Sequence, residues 1–194
     1  MTLTTNPGLT FDEATHTYTL RGRRVPNVTS ILEPLHPVGW GRVQNMELGR
    51  AVHLACHYAD LGDLDPDLDD KLRPYLAAWE MWKSKAKFTV LASEVPIAHE
   101  VWWYACTPDK YGRLGKESAV VELKTGEWEP IVYGAQTAPQ QRAIEARTGK
   151  KCKLRIGVVL RGDGTYVEHE CTDPTDWQRF MSCLTVFNAK ERMR

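Results

Sequence analysis

The chain has 194 residues, 42% of them hydrophobic and 26% charged. That composition excludes extensive disorder, and a chain of this length buries roughly 70% of the surface it exposes when unfolded, so its core needs no covalent staples. The 25 basic and 25 acidic residues cancel, so bulk charge selects no partner, and no apolar run approaches the ~18 residues of a membrane span.

In chain order, the opening MTLTTNPGLT has neither the basic start nor the apolar stretch of a secretory signal. The first 38 residues read as strand- and turn-rich. Thr15 to Leu20 alternates and is followed by Arg21-Gly22, a hairpin turn into Val25. Thr29 or Ser30 is expected to cap a short helix that stops by Pro34 or Pro37. From Gly39 to Asp60 the pattern is helical, with Val43, Met46, Ala51, Leu54 and Tyr58 near one stripe and Gly62 closing it. A second helix is expected from about Asp67 to Lys87, where Leu68, Leu72, Tyr75, Leu76, Trp79, Trp82 and Ala86 recur at three and four; Pro74 should kink or restart it. Strands are expected over Thr89–Ile97, Glu100–Cys106 and Ser118–Thr125. A helix follows over Ala135–Arg147, closed by Gly149. Strands Lys153–Leu160 and Tyr166–Glu170 flank a Gly162-Asp163-Gly164 turn. Asp173, with Pro174 next, is expected to cap a last helix. This order describes an α/β fold, a mixed central sheet flanked by helices. We expect a single domain over 1–194, with 1–38 a lead-in and 39–194 the core.

Charge is segregated along the chain. Basic clusters occur at Arg21, Arg23 and Arg24; at Lys83, Lys85 and Lys87; at Lys150, Lys151, Lys153 and Arg155; and at Lys190, Arg192 and Arg194, while residues 60–70 hold six aspartates. Each cluster on its own reads as a solvated face. Five widely spaced cysteines argue against a disulfide framework and for a reducing cytoplasm.

The most informative stretch is Ser118 to Gly126. It reads as a buried strand, yet Glu122 and Lys124, two apart, project to one face. Burying charge requires a partner, and the pair reads either as an ion pair at the strand end or as a metal site with an adjacent ammonium. Pro108-Asp109 ends the preceding strand, and antiparallel pairing across the loop 110–116 would set Asp109 beside Glu122. Two carboxylates together repel unless a cation lies between them, and Mg2+ or Mn2+ suits oxygen ligands. His53, Cys56 and His57, at i, i+3 and i+4, also leave open a zinc site on one helix face.

Pro108-Asp109, twelve intervening residues and Glu122-x-Lys124 resemble the PD-(D/E)XK nuclease superfamily. The resemblance is to the branch of the RecB nuclease domain, Cas4-like proteins and small phage exonucleases. Gly49 to His53 resembles its Gly-x-x-x-His helix, Glu94 its first core-strand glutamate, Gln136 the start of its Gln-x-x-x-Tyr motif, and Arg24 to Leu32 its Pro-Ser-Val-Thr lead-in. Gln140 stands where the tyrosine is expected, with Pro139 before it, and Cys106 replaces a common glycine.

The resemblance implies a restriction-endonuclease-like core and Mg2+ or Mn2+ held by His53, Asp109, Glu122 and the backbone carbonyl of Leu123. It further implies catalysis by Asp109, Glu122, Lys124 and Glu94, and DNA contacts from Gln136 and Gln140. The implied activity is exonucleolytic hydrolysis of DNA leaving 5′-phosphates, in phage-type recombination or replication, with a recombination or annealing protein as a further partner. A catalytically silent DNA-binding or assembly protein keeping the fold is the alternative. Cys56, Cys106, Cys152, Cys171 and Cys183 lack the close spacing of cluster ligands, so no iron–sulfur cluster is expected. Trp102, Trp103 and Tyr104 are candidates for stacking unpaired bases.

Overall fold

The computed structural model describes residues 3–36 and 43–193. The expected helix start at Gly39 and the alternative stop at Pro37 lie outside the described residues.

The chain begins with an antiparallel meander of β1 (Leu9–Asp12), β2 (Thr17–Leu20) and β3 (Arg23–Val25). Leu20 pairs with Arg23, and Arg21 and Gly22 between them have φ of 50° and 76°, the paired left-handed geometry of a two-residue hairpin. Helix α1 (Val28–Ile31) is capped by Asn27, whose side chain accepts from the Ser30 N–H at 2.7 Å. The cap is therefore Asn27; Thr29 and Ser30 lie inside the helix, because the capping oxygen must precede the N–H it accepts from by two or three residues.

Helix α2 (Val43–Leu61) turns Val52, Ala55 and Cys56 into the core, while Met46, Leu54 and Tyr58 of the expected stripe are exposed. The stripe is rotated because the inner face also carries polar residues, described below. Pro74 sits in the first turn of α3 (Arg73–Ala86) and starts that helix, where its missing N–H costs nothing. The segment before it is folded by aspartates: Asp65 and Asp69 accept from the N–H groups of Asp67 and Lys71.

The central sheet has the order β10-β9-β8-β7-β4, with β4 (Phe88–Ser93), β7 (Lys110–Leu114), β8 (Glu117–Lys124), β9 (Leu154–Leu160) and β10 (Tyr166–Glu170). Only β8 and β9 run parallel; the other three pairs are antiparallel. Helix α4 (Pro130–Thr148) makes the crossover from β8 to β9, and α5 (Asp176–Glu191) follows β10. Ala119, Val121 and Leu123 of β8 join a core with Trp79 and Trp82 of α3, whereas Val120 joins a second core with Ala143 and Ile144 of α4 and Phe180 of α5. The fold is thus α/β, a mixed sheet with helices on both faces. Among the described residues no helix is long and apolar enough to cross a membrane.

Several expected boundaries move. The strand expected over 89–97 ends at Ser93, and Ile97–His99 forms β5, which pairs with β6 (Tyr104–Cys106). Residues 100–103 are turn, so Trp102 is exposed, while Tyr104 is fully buried. The loop expected over 110–116 is largely strand β7. Its Gly112, a loop signal by composition, is a close-approach glycine: a Cβ there would collide with the Thr89 carbonyl oxygen and the Phe88 ring. Helix α4 starts five residues before Ala135, with Pro130 in its first turn. At α5 the N-cap position is Thr175, and Asp173 instead accepts from the Thr175 N–H at 2.8 Å. Gly112→Ala should lower unfolding stability by about 1–3 kcal/mol, the cost of overpacking, measured by denaturant titration; an unchanged midpoint would contradict the contact.

Candidate metal centre

A β-bulge organises the site. Strand β4 pairs Val90 with Gly112 but Ala92 with Tyr111, leaving Leu91 as an extra residue. Past this shift Ser93 lies opposite Lys110, and the Glu94 N–H donates to the Asp109 carbonyl at 3.1 Å. On the other side β7 pairs Lys110 with Val121, so the register continues to Asp109 opposite Glu122. Glu122 in turn pairs with Gly157 of β9. Three acidic residues therefore stand in one row across β4, β7 and β8, at the end of the sheet. Glu94 itself has φ of 53°, a left-handed conformation that is strained for a glutamate and typical of functional positions.

Helix α2 brings His53 over this row. His53 Nδ1 lies 3.3 Å from Asp109 Oδ1 and 4.0 Å from Glu94 Oε1. One ligand atom each from His53, Glu94 and Asp109 falls within 4.8 Å of the others. Asp109 Oδ2 accepts from the Leu123 N–H at 2.7 Å, which aims its other oxygen at His53. Two carboxylates and one imidazole brought this close could hold a divalent cation.

Glu122 is placed differently. Its Oε1 takes Lys124 Nζ at 2.6 Å and Gln136 Nε2 at 2.6 Å, and its Oε2 takes Gln140 Nε2 at 2.8 Å. The carboxylate expected to share an ion with Asp109 is thus outside the three-ligand group and holds the ammonium. Of the glutamines expected to meet DNA, Gln140 is 2% exposed and Gln136 is half-buried, and both donate to Glu122. Lys124 Nζ also lies 4.6 Å from the centre of the Tyr133 ring. Tyr133 packs on Trp128, whose indole occupies the space that a side chain at Gly157 would need.

The electrostatics follow from crowding. Burial and the charge of Asp109 push the Glu94 carboxyl up to about 8. Burial and Asp109 also raise Glu122. Burial alone would push Asp109 up, but the His53 charge and hydrogen bond, with Lys124 and the Leu123 N–H, hold it below the usual carboxylate range. Burial opposes protonation of His53 and of Lys124, yet their carboxylate partners outweigh it and hold both above their ordinary values. Three carboxyls thus share one ammonium and one imidazole, and the proton retained by Glu94 relieves the crowding of charge.

The soft-ligand alternative on α2 is not assembled. Only His53 of the trio faces the acidic row; Cys56 is fully buried against the α3 core, and His57 Nδ1 lies 2.8 Å from Ser93 Oγ. Sequence reasoning missed Asp60, Ser93 and Lys110, which lie beneath the acidic row. The available signal was the spacing of His53, His57 and Asp60, at i, i+4 and i+7 on one helix face.

No family model matches the sequence, and no curated protein matches it. Among solved structures, the chain is similar to the crystal structure of an alkaline exonuclease (LHK-Exo) from Laribacter hongkongensis. The two are 15% identical, with a TM-score of 0.42 over 83% of this chain and 84% of that one.

The raised acid at Glu94 has a consequence for stability. A carboxyl whose pKa is higher folded than unfolded binds its extra proton in the folded state, so its contribution is full below pH 4.5 and lost as pH rises to about 8. His53, raised above 6.5, acts in the same direction as pH rises from 6.5 through its folded value. Metal-free protein should therefore melt at progressively lower temperature across that window, and Glu94→Gln should flatten the slope. Thermal melting in chelator checks this; an identical slope in the variant would show that Glu94 is not the buried acid responsible.

Proposed function

We propose that this protein is a divalent-metal-dependent DNA nuclease of the PD-(D/E)XK type. The observation that carries the proposal is the row Glu94–Asp109–Glu122, flanked by His53 and Lys124 and aligned by register at one end of a mixed sheet. The order of the sequence motifs supports the RecB- and Cas4-like branch, and with it exonucleolytic action leaving 5′-phosphates in phage-type recombination or replication. Residues 1–194 would form one nuclease-like domain acting in the cytoplasm.

His53, Glu94 and Asp109 would hold Mg2+ or Mn2+. When bound, such an ion polarises the scissile phosphate and lowers the pKa of a water. Lys124, kept protonated and oriented by Glu122, would place its ammonium where negative charge grows on the phosphate. Gln136 and Gln140 would fix the Glu122 carboxylate, leaving it one orientation. Leu123 would act through its N–H, which aims Asp109. Tyr133 and Trp128 would shield the Lys124 side from water, strengthening its field.

The test is cleavage of end-labelled linear and closed circular DNA with Mg2+ or Mn2+. Linear DNA should be degraded from its ends and circular DNA spared. Asp109→Asn should abolish metal-dependent cleavage, and Lys124→Ala should slow it by about 10²–10³-fold, the scale of losing one transition-state donor, with melting showing both variants folded. Cleavage by both at the parent's rate would refute the assignment. Neither cleavage nor carboxylate-dependent metal binding in the parent would instead identify a silent relative that keeps the fold, the reading motivated by Gln140 in place of the tyrosine.

A further inference from the structure

Beneath the acidic row lies a second polar cluster that the chemistry above does not use. Lys110 is fully buried, and its Nζ lies 2.8 Å from Asp60 Oδ2 and 2.7 Å from Ser93 Oγ. Asp60, with a side chain 1% exposed, takes Lys83 Nζ at 2.6 Å and Trp79 Nε1 at 3.1 Å on Oδ1. Ser93 Oγ also meets His57 Nδ1 at 2.8 Å.

The sequence neighbours of these groups matter. Lys110 directly follows Asp109, Ser93 directly precedes Glu94, and Asp60 lies two turns along α2 from His53. Each of the three elements that carries a ligand is therefore tied to the other two, one residue or two turns away from the ligand itself. A buried ion pair stabilises little compared with apolar packing, because desolvation offsets its attraction. Its directional bonds do what apolar packing does not: they fix the distance and rotation of α2 against the β4–β7 edge.

We propose that Asp60, Lys110 and Ser93 are positioning residues that hold His53, Glu94 and Asp109 at the spacing a divalent cation requires. The proposal rests on the metal site described above. Outer groups that orient ligands in this way are worth about 10–100-fold in metal affinity.

Calorimetric titration of Mn2+ tests it, in the parent, His53→Ala, Ser93→Ala and the charge-balanced double variant Asp60→Leu/Lys110→Met. The double variant replaces the Asp60–Lys110 pair by apolar groups but leaves the Trp79 Nε1–H and Lys83 without Asp60, so it should melt below the parent and, in its folded state, bind Mn2+ about 10–100-fold more weakly. Parent-like Mn2+ affinity in the folded double variant overturns the proposal while leaving the metal site standing. Where the double variant does not fold, Ser93→Ala decides: it keeps the ion pair, loses the hydroxyl that joins Lys110 to His57, and should bind several-fold more weakly. Parent-like affinity in Ser93→Ala then overturns the proposal. Equal binding by parent and His53→Ala, or no binding by the parent, removes the metal site itself and this inference with it.

Discussion

One extra residue in strand β4 sets the geometry on which the site depends. Side chains alternate with a period of two, so a shift of one residue moves every later side chain to the other face. Without Leu91 bulged out of the ladder, Ser93 would stand opposite Asp109 and Glu94 would point into the core against α2 and α3. With it, Glu94 stands beside Asp109, and the strain is taken up at Glu94 in a left-handed conformation. Bulges next to functional sites commonly re-aim a side chain in this way.

The row that results is electrostatically expensive. Glu94, Asp109 and Glu122 are near neighbours at the end of the sheet, with Asp109 and Glu122 buried, and stability alone would disfavour the arrangement. The protein offsets it unequally. Asp109 is held ionised by the His53 imidazole and the Leu123 N–H, and Glu122 is matched by Lys124 and two amides. Glu94 is left to protonate, with a pKa near that of neutral solution. Glu94, the carboxyl left to protonate, lies on the side where His53 also points, 4.0 Å from its Nδ1.

Two further features separate the charged end of the sheet from its core. On the β9 side, Gly157 stands opposite Glu122 and leaves room for the Trp128 indole, which stacks on His169 and reaches Tyr133 and then Lys124. On the side of the N-terminal meander, Tyr18 shares a 2.7 Å hydrogen bond with Thr107, and Asn6 bonds both the N–H and the carbonyl of Ala98. The lead-in is thereby fastened to β5 and to the segment that leads into Asp109.

How much was legible in the sequence divides along a physical line. Local periodicity was enough for β8, for the β9–β10 hairpin and for most of α3, because alternation and three-four spacing are properties of neighbouring residues. The same locality placed Glu122 and Lys124 on one face, whereas His53 and Glu94 were marked as site candidates by the resemblance of their motifs and Asp109 by its spacing from Glu122. What only the tertiary structure decided is which of these groups meet. Glu122 joins Lys124, Gln136 and Gln140 while His53, Glu94 and Asp109 converge without it, and Gly112 belongs to a strand because a neighbouring ring needs its space. The outcome follows from a single-residue bulge and from the rotation of α2. Hydrogen bonds and charges act through space across separate strands and helices, and apart from Glu122 with Lys124 no short window along the chain contains both partners.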